Sequence, residues 1–127
     1  MIVVALVAII ASIAYPSYTS HMNKTRNAEA QISLLAIMQQ QRVYFTNNGR
    51  YSDDLITDLK NTEAAGEAGT VASEHGHYLI SVGRCAGEPP LPYSDCVLLT
   101  ATPTSVSAGM PVLTYNSKNQ KGPAGHW

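Results

Sequence analysis

The chain begins with Met1-Ile2-Val3-Val4-Ala5-Leu6-Val7-Ala8-Ile9-Ile10-Ala11-Ser12-Ile13-Ala14-Tyr15-Pro16-Ser17-Tyr18, and this stretch decides the fold. From Met1 to Ala14 it contains no charged residue, and Ser12 is its one polar residue. A helix that is apolar on every side needs lipid or protein around it. A rise of ~1.5 Å per residue makes this run about 22 Å long, whereas a membrane-spanning helix needs ~20 residues. The run is short for a complete span, so we expect further apolar residues to precede it.

Two other interpretations of this stretch remain open. A cleaved secretory signal would have positive residues before the apolar run and a small-residue cleavage site after it. Here the nearest cations, Lys24 and Arg26, follow the run. A buried core helix is the other alternative, but the rest of the chain is short for wrapping an apolar cylinder. A protruding helix that meets a membrane or another molecule is therefore the favoured interpretation.

The residues after this run predict that the helix continues. Pro16 lacks an N–H donor and clashes with the preceding turn, so we expect a kink there. No Gly or Pro occurs from Ser17 to Tyr44, and Asn47-Asn48-Gly49 is a good C-terminal stop, which predicts a helix over residues 2–45. Three- and four-residue spacing predicts that one face packs on a sheet, the face of Ala28, Ile32, Leu35 and Met38. The opposite, polar face carries Lys24, Asn27, Gln31, Gln40 and Arg42.

The remaining sequence predicts a loop-rich segment over 47–76 and an antiparallel sheet with a C-terminal loop over 77–127. Within the first segment, Ser52 to Leu59 is typical of a short capped helix, and 64–73 of an exposed loop. Strands are predicted at 77–82, 96–102 and 111–116, separated by short turns. A helix followed by strands is an α+β arrangement. The sheet residues expected to meet the helix are Leu79, Val97, Leu99, Val112 and Leu113.

The opening stretch, together with Arg26-Asn27-Ala28-Glu29-Ala30, resembles the N-terminal helix of type IV pilins. A second set of residues is similar to PilE-like minor pilins: Tyr51, Leu99-Thr100-Ala101-Thr102-Pro103, Leu113-Thr114-Tyr115-Asn116, Gly122 and Trp127. The family's usual first hexapeptide, with its methylated first residue and its glutamate needed for assembly, is absent, which agrees with missing upstream residues. The family often has a glycine where Ala8 stands.

The resemblance implies the type IV pilin fold, in which a long protruding N-terminal helix packs on a small antiparallel sheet. It also implies a structural subunit of a pilus for adhesion, twitching motility or DNA uptake, with residues 1–20 in the membrane or filament core and 21–127 forming a globular domain. The implied partners are other pilin subunits, the inner membrane before assembly, a prepilin peptidase and the pilus assembly machinery. The single-pass inner-membrane protein would then become part of an extracellular pilus. The residues expected to form the filament core are Ile2, Val3, Leu6, Ile9, Ile10 and Ile13.

Cys85 and Cys96 flank a proline-rich loop between two predicted strands. In an exported domain we expect them to form a local disulfide, with two free thiols as the alternative. The disulfide of the pilin family is not carried over, because its positions are occupied here by Met110-Pro111 and His126.

Few residues suggest chemistry. His75 and His77 lack a third ligand nearby, and Asp53-Asp54 suits a helix start, so we expect no metal and no cofactor. No motif of a hydrolase, metalloprotease or nucleotide-binding protein is present, so no enzymatic activity is expected. The net charge is −1, and the basic residues are spread along the chain. Lys118 and Lys121 alone make a weak patch, so nucleic acid is not expected as a partner. The alternatives left open are a pseudopilin of a type II secretion system and a membrane-anchored periplasmic enzyme or binding domain.

Overall fold

One long helix packs on a five-stranded antiparallel sheet, as the computed structural model of residues 1–65 and 67–127 shows. The strands follow one another in chain order across the sheet, so each pairs with its neighbour in sequence. This arrangement confirms the predicted α+β class with an antiparallel sheet. The elements are α1 (Ile2–Asn48), β1 (Val71–Ala72), β2 (Tyr78–Arg84), β3 (Val97–Pro103), a short 3₁₀ turn (Ser105–Ser107), β4 (Leu113–Asn116) and β5 (Lys121–Gly122).

Helix α1 is 47 residues long and ends where the sequence predicts. Gly49 adopts the left-handed conformation with φ 71°, and its N–H donates to the Phe45 carbonyl at 2.8 Å. A residue with a Cβ is strained at this φ, which explains why glycine stops the helix. Every residue from 1 to 20 is exposed, so this first half of α1, which we call the protruding half, makes no core with the sheet.

The helical assignment runs unbroken through Pro16. Nearby hydroxyls bond within their own turn: Ser12 donates to the Ile9 carbonyl at 2.7 Å, and Thr19 donates to the Pro16 carbonyl at 3.0 Å. The missing Pro16 donor leaves the carbonyl one turn earlier, on Ser12, without its helical partner. The kink at Pro16 stays a prediction.

The prediction of which face of α1 packs on the sheet is wrong. Ile32 is 66% exposed and Leu35 is 42% exposed, and of the predicted face only Met38 is buried. The buried positions follow a different stripe around the helix, Ala30, Leu34, Ile37, Met38 and Gln41. Apolar residues occupy two opposite sides of this helix, so spacing alone did not identify the side that meets the sheet.

The sheet face that meets α1 is predicted correctly in β3 and β4 and incorrectly in β2. Val97, Leu99 and Leu113 are fully buried as expected. In β2 the residues that point to the core are Tyr78 and Ile80, so the predicted Leu79 lies on the other face. A one-residue shift reverses every side chain of a strand, which accounts for this error. Val112, also predicted to be buried, precedes β4 and is 44% exposed.

The segment between α1 and β2 also differs from the prediction. Residues 55–59 form turns and not a helix. The Asp54 carboxylate caps them by accepting hydrogen bonds from the Ile56 and Thr57 amides at 2.8 and 2.9 Å. The loop predicted to be exposed contains buried Ala64 and Ser73, together with the two-residue strand β1. Such a short edge strand has too few residues to show an alternating pattern.

The structure contains the disulfide between Cys85 and Cys96, whose Cα atoms are 5.8 Å apart. It joins the residue after β2 to the residue before β3. Closing a loop of this length stabilises the fold by about 3 kcal/mol in the chain-entropy model.

Candidate functional site

The protruding half carries the largest exposed apolar surface of α1. The six residues predicted for the filament core all lie on it, with exposures between 54% and 79%: Ile2, Val3, Leu6, Ile9, Ile10 and Ile13. By length and composition α1 qualifies as a membrane-crossing helix, and none of its most apolar 18-residue window is buried. Contiguous apolar surface of this kind marks a protein or membrane interaction site. Because it surrounds the helix, partners must contact it from several sides.

The C-terminal segment lies along the second half of α1 and is held there by polar side chains of the helix. The side-chain amides of Asn27 and Gln31 both donate to the His126 carbonyl, at 2.6 and 2.7 Å. Arg26 donates to the Val106 carbonyl at 3.1 Å. Asn27 and Gln31 therefore bind the C-terminal segment from the polar face of α1 that the sequence predicted.

Trp127 lies at the end of the seam, which is the contact between the C-terminal segment and α1. Its indole N–H donates to the Gly122 carbonyl at 2.9 Å, and its ring centroid lies 5.5 Å from that of Tyr115. The Lys121 ammonium lies 4.9 Å from the Trp127 ring centroid and 5.9 Å from that of Tyr115. The aromatic pair thus holds a cation at the surface by cation–π attraction.

Cations collect along the same seam. Arg42 donates to Asn119 at 3.0 Å, which places it beside the β4–β5 turn that carries Lys118. Lys24 lines a groove of about 710 Å³ together with His126 and Trp127. No Asp or Glu occurs after Asp95, so the C-terminal side of the seam has no acidic residue. We call this surface the basic seam and define it by four of the eight Lys and Arg residues, Lys24, Arg42, Lys118 and Lys121.

A partly buried carboxylate joins α1 to the sheet on another side of the helix. Glu29 accepts hydrogen bonds from the Ser73 hydroxyl and, at 2.9 Å, from the His75 amide. His77 Nδ1 lies 2.6 Å from its Oε2. Burial raises the pKa of Glu29, but the hydrogen bonds from Ser73, His77 and His75 and the charge of His77 outweigh it, so that pKa lies below its usual value.

This contact gives the two histidines a structural role that the sequence did not predict. Spacing placed His75 and His77 on one side of a strand, but nothing in the sequence linked them to a helix residue more than 40 positions earlier. The Glu29 carboxylate occupies the space between them. Over residues 1–65 and 67–127, no three His, Cys, Asp or Glu side chains are arranged to hold a metal ion.

Glu29→Gln is expected to lower the free energy of unfolding by about 1–2 kcal/mol at neutral pH, because hydrogen bonds to a charged group are stronger than those to an amide. The folded-state pKa lies below the unfolded value of 4.5, so this stabilisation is present above that value and is lost as pH falls through the folded pKa. The difference between wild type and variant should therefore shrink as the pH is lowered below about 4.

Urea unfolding of the detergent-solubilised chain at several pH values measures this difference. Glu74→Gln is the matched control, because Glu74 is exposed and stands in the turn that contains His75. An equal loss of stability in both variants, or a difference that does not change on acidification, would contradict the assigned role of Glu29.

An exposed apolar half-helix continuous with a helix packed on a small antiparallel sheet defines the class of protein: a subunit with a pilin-like architecture. The family model described as "Type IV minor pilin ComP, DNA uptake sequence receptor" matches residues 16–111. The type IV major pilin protein PilA of Myxococcus xanthus (strain DK1622) is 30% identical over 118 residues, which cover 92% of this chain and 46% of that protein. The chain thus spans about half the length of this relative. No solved structure matches the chain.

The chain belongs to the type IV pilin family. This result confirms the resemblance found in the opening stretch of the sequence.

Proposed function

We propose that the chain polymerises into a type IV pilus through its protruding half, while residues 21–127 form the globular part of the subunit. The observation that carries the proposal is the complete exposure of residues 1–20, although residues 2–14 are almost entirely apolar. In the monomer this surface has no protein partner among the described residues. Lipid would cover it in the inner membrane before assembly, and neighbouring subunits would cover it in the extracellular filament.

The move from membrane to filament explains why other proteins are needed. Lipid tails are as apolar as the side chains of a helix bundle, so transfer between the two brings little net hydrophobic free energy. Assembly would therefore need an external energy source, and we expect a prepilin peptidase and the pilus assembly machinery as partners. The role itself requires no catalytic chemistry, cofactor or metal, because it consists of packing apolar surfaces.

Electron microscopy of filaments from cells that express an epitope-tagged chain tests this proposal. The exposed residues 86–90, in the loop between β2 and β3, offer a place for the tag away from the basic seam. Gold-labelled antibody should decorate the filaments, and cells lacking the gene provide the control for labelling. A chain that stays in the membrane fraction and is absent from purified filaments would contradict the proposal.

We propose a second role for the basic seam, the binding of a nucleic-acid backbone. The sequence did not predict this because its cations are dispersed along the chain, and the fold brings four of eight to one surface. Phosphate binding depends on such a cluster of Lys and Arg. The matching family model describes a DNA uptake sequence receptor, which supports testing DNA first.

A triple variant, Arg42→Gln with Lys118→Gln and Lys121→Gln, is expected to weaken binding to duplex DNA and to reduce its salt dependence. Each lost phosphate contact lowers the slope of log affinity against log salt by about 0.9. Fluorescence anisotropy with labelled DNA at several salt concentrations measures both quantities.

The chain offers a control with the same change in net charge, Arg50→Gln with Lys60→Gln and Arg84→Gln, at three cations outside the seam. This control should bind DNA nearly as well as wild type. If both triple variants lose affinity equally, the binding reflects net charge and the seam has no special role.

A further inference from the structure

The groove beside Trp127 lies where α1 leaves its apolar part. Its walls come from α1 and from the C-terminal segment, and they include Thr19, Ser20, Lys24, His126 and Trp127. The apolar run ends at Ala14, so the α1 wall begins about 8 Å beyond that run at a rise of ~1.5 Å per residue. The headgroup layer on each side of a bilayer is roughly 5–8 Å thick. When the protruding half lies in a membrane, this groove, which we call the Trp127 groove, therefore lies at the membrane surface.

Aromatic side chains mark the same level of the molecule. Tyr15 is 74% exposed and Tyr18 is 64% exposed, although neither packs on the sheet. Trp127 lines the groove together with Thr19 and Ser20, the two residues that follow Tyr18. Tyr and Trp are enriched where membrane proteins cross from hydrocarbon to water, because their rings are apolar and carry one polar group. The three aromatic residues thus form the kind of belt that anchors a protein at a membrane surface.

The charge at this level has one sign. Lys24 lines the groove and is exposed, and the Lys121 ammonium lies 4.9 Å from the Trp127 ring centroid. Neither lysine takes part in an ion pair within residues 1–65 and 67–127. The chain has no Asp or Glu before Glu29 or after Asp95, so both walls of the groove come from stretches without acidic residues. With no carboxylate to neutralise the two ammonium groups, the groove attracts an anion.

We propose that the Trp127 groove binds the headgroup phosphate of an anionic phospholipid before assembly, so that the globular domain rests on the membrane. The inference rests on the proposed placement of the protruding half in the inner membrane. Lys24 and Lys121 contact the phosphate, and the Trp127 ring lies at the level of the headgroups. Lipid is favoured over nucleic acid at this end of the basic seam because the groove adjoins the apolar half of α1. Arg42, by contrast, lies about 27 Å farther along the helix than Lys24.

The fluorescence of Trp127 tests this proposal in the whole chain, because the sequence contains one Trp. The chain is reconstituted in vesicles of phosphatidylcholine with an increasing fraction of phosphatidylglycerol, and a trace of lipid with a nitroxide on its headgroup serves as quencher. Quenching of Trp127 should increase with the phosphatidylglycerol fraction, because the anionic headgroup draws the groove onto the membrane. High salt should reverse the increase, since the attraction between exposed charges is screened.

Lys24→Gln and Lys60→Gln form a matched pair, because both lysines are exposed and both substitutions remove one positive charge. Lys24→Gln should raise the phosphatidylglycerol fraction needed for half-maximal quenching by up to about fivefold, the usual contribution of one Lys near an anionic membrane. Lys60→Gln should behave like wild type, and Lys24→Arg should retain binding because it keeps the charge. Circular dichroism should show all three variants folded.

The outcomes separate this inference from the proposed function. Quenching that does not depend on phosphatidylglycerol, or an equal shift in Lys24→Gln and Lys60→Gln, would overturn the headgroup contact and leave insertion of the protruding half intact. If Lys24→Gln weakens binding to duplex DNA but leaves the quenching unchanged, the groove belongs to the nucleic-acid role and the lipid proposal is wrong. If the wild-type chain fails to float with vesicles of either composition, the membrane placement of the protruding half fails, and this inference fails with it.

Discussion

Leu6→Asp should abolish incorporation into filaments and leave the folded domain unchanged. An aspartate at the centre of a membrane helix costs about 2.5–3.5 kcal/mol on insertion scales. The filament core is no more favourable than the membrane for this aspartate, because its carboxylate has no partner there unless a neighbouring subunit supplies one. Leu6 is 54% exposed and lies in the part of α1 where every residue is exposed, so the substitution removes no contact within the monomer. The fraction of chain that sediments with purified filaments measures the effect.

Two controls accompany this prediction. Leu6→Met keeps the apolar character and nearly the volume of the side chain, so filaments should form. Deletion of residues 1–20 should leave a soluble domain with cooperative thermal unfolding, because the core cluster begins at Ala30. If circular dichroism shows this shortened chain to be unfolded, the protruding half contributes to the monomer's core and the filament interpretation of those residues is wrong.

Gln41→Ala is expected to lower the free energy of unfolding by about 3 kcal/mol, because each buried polar group left without a partner costs ~1–3 kcal/mol. The Gln41 side chain is fully buried and bonds both backbone groups of Ser52. Its Nε2 donates to the Ser52 carbonyl at 3.0 Å, and its Oε1 accepts from the Ser52 amide at 2.8 Å. Losing the side chain leaves two buried backbone groups unpaired at the start of the segment that leads to β1.

Gln39→Ala is the matched control, since it makes the same change two residues earlier at an exposed position. Surface substitutions of this kind usually alter stability by less than ~0.5 kcal/mol. Chemical denaturation of both variants gives the comparison. Equal stability of the two variants would show that the hydrogen bonds between Gln41 and Ser52 contribute nothing, and the assigned role of Gln41 would be wrong.

The wrong prediction of the α1 core face has a physical cause. Periodicity reports that residues three and four apart share a face, and it says nothing about which face meets the sheet. Ile32 and Leu35 satisfied the spacing rule, and so did Leu34 and Ile37. The sheet selected the second pair.

Local signals in the sequence determined the features that depend on neighbouring residues. The length of α1 follows from the absence of Gly and Pro after Pro16, and its end follows from Gly49, whose left-handed φ is a property of one residue. The change from a helical to a strand pattern determined the α+β class.

The tertiary structure decided what depends on residues far apart in the chain. Glu29 contacts His77 across 48 positions, and Arg42 contacts Asn119 across 77. No spacing rule reaches that far, because such pairs are brought together by the packing of α1 on the sheet and not by the geometry of one element. For the same reason Gln41, which stands among three consecutive glutamines, could not be distinguished from its exposed neighbours until Ser52 was placed beside it. Short-range order is encoded by local backbone preference, whereas the buried polar contacts and the grouping of cations come into existence only when the core forms.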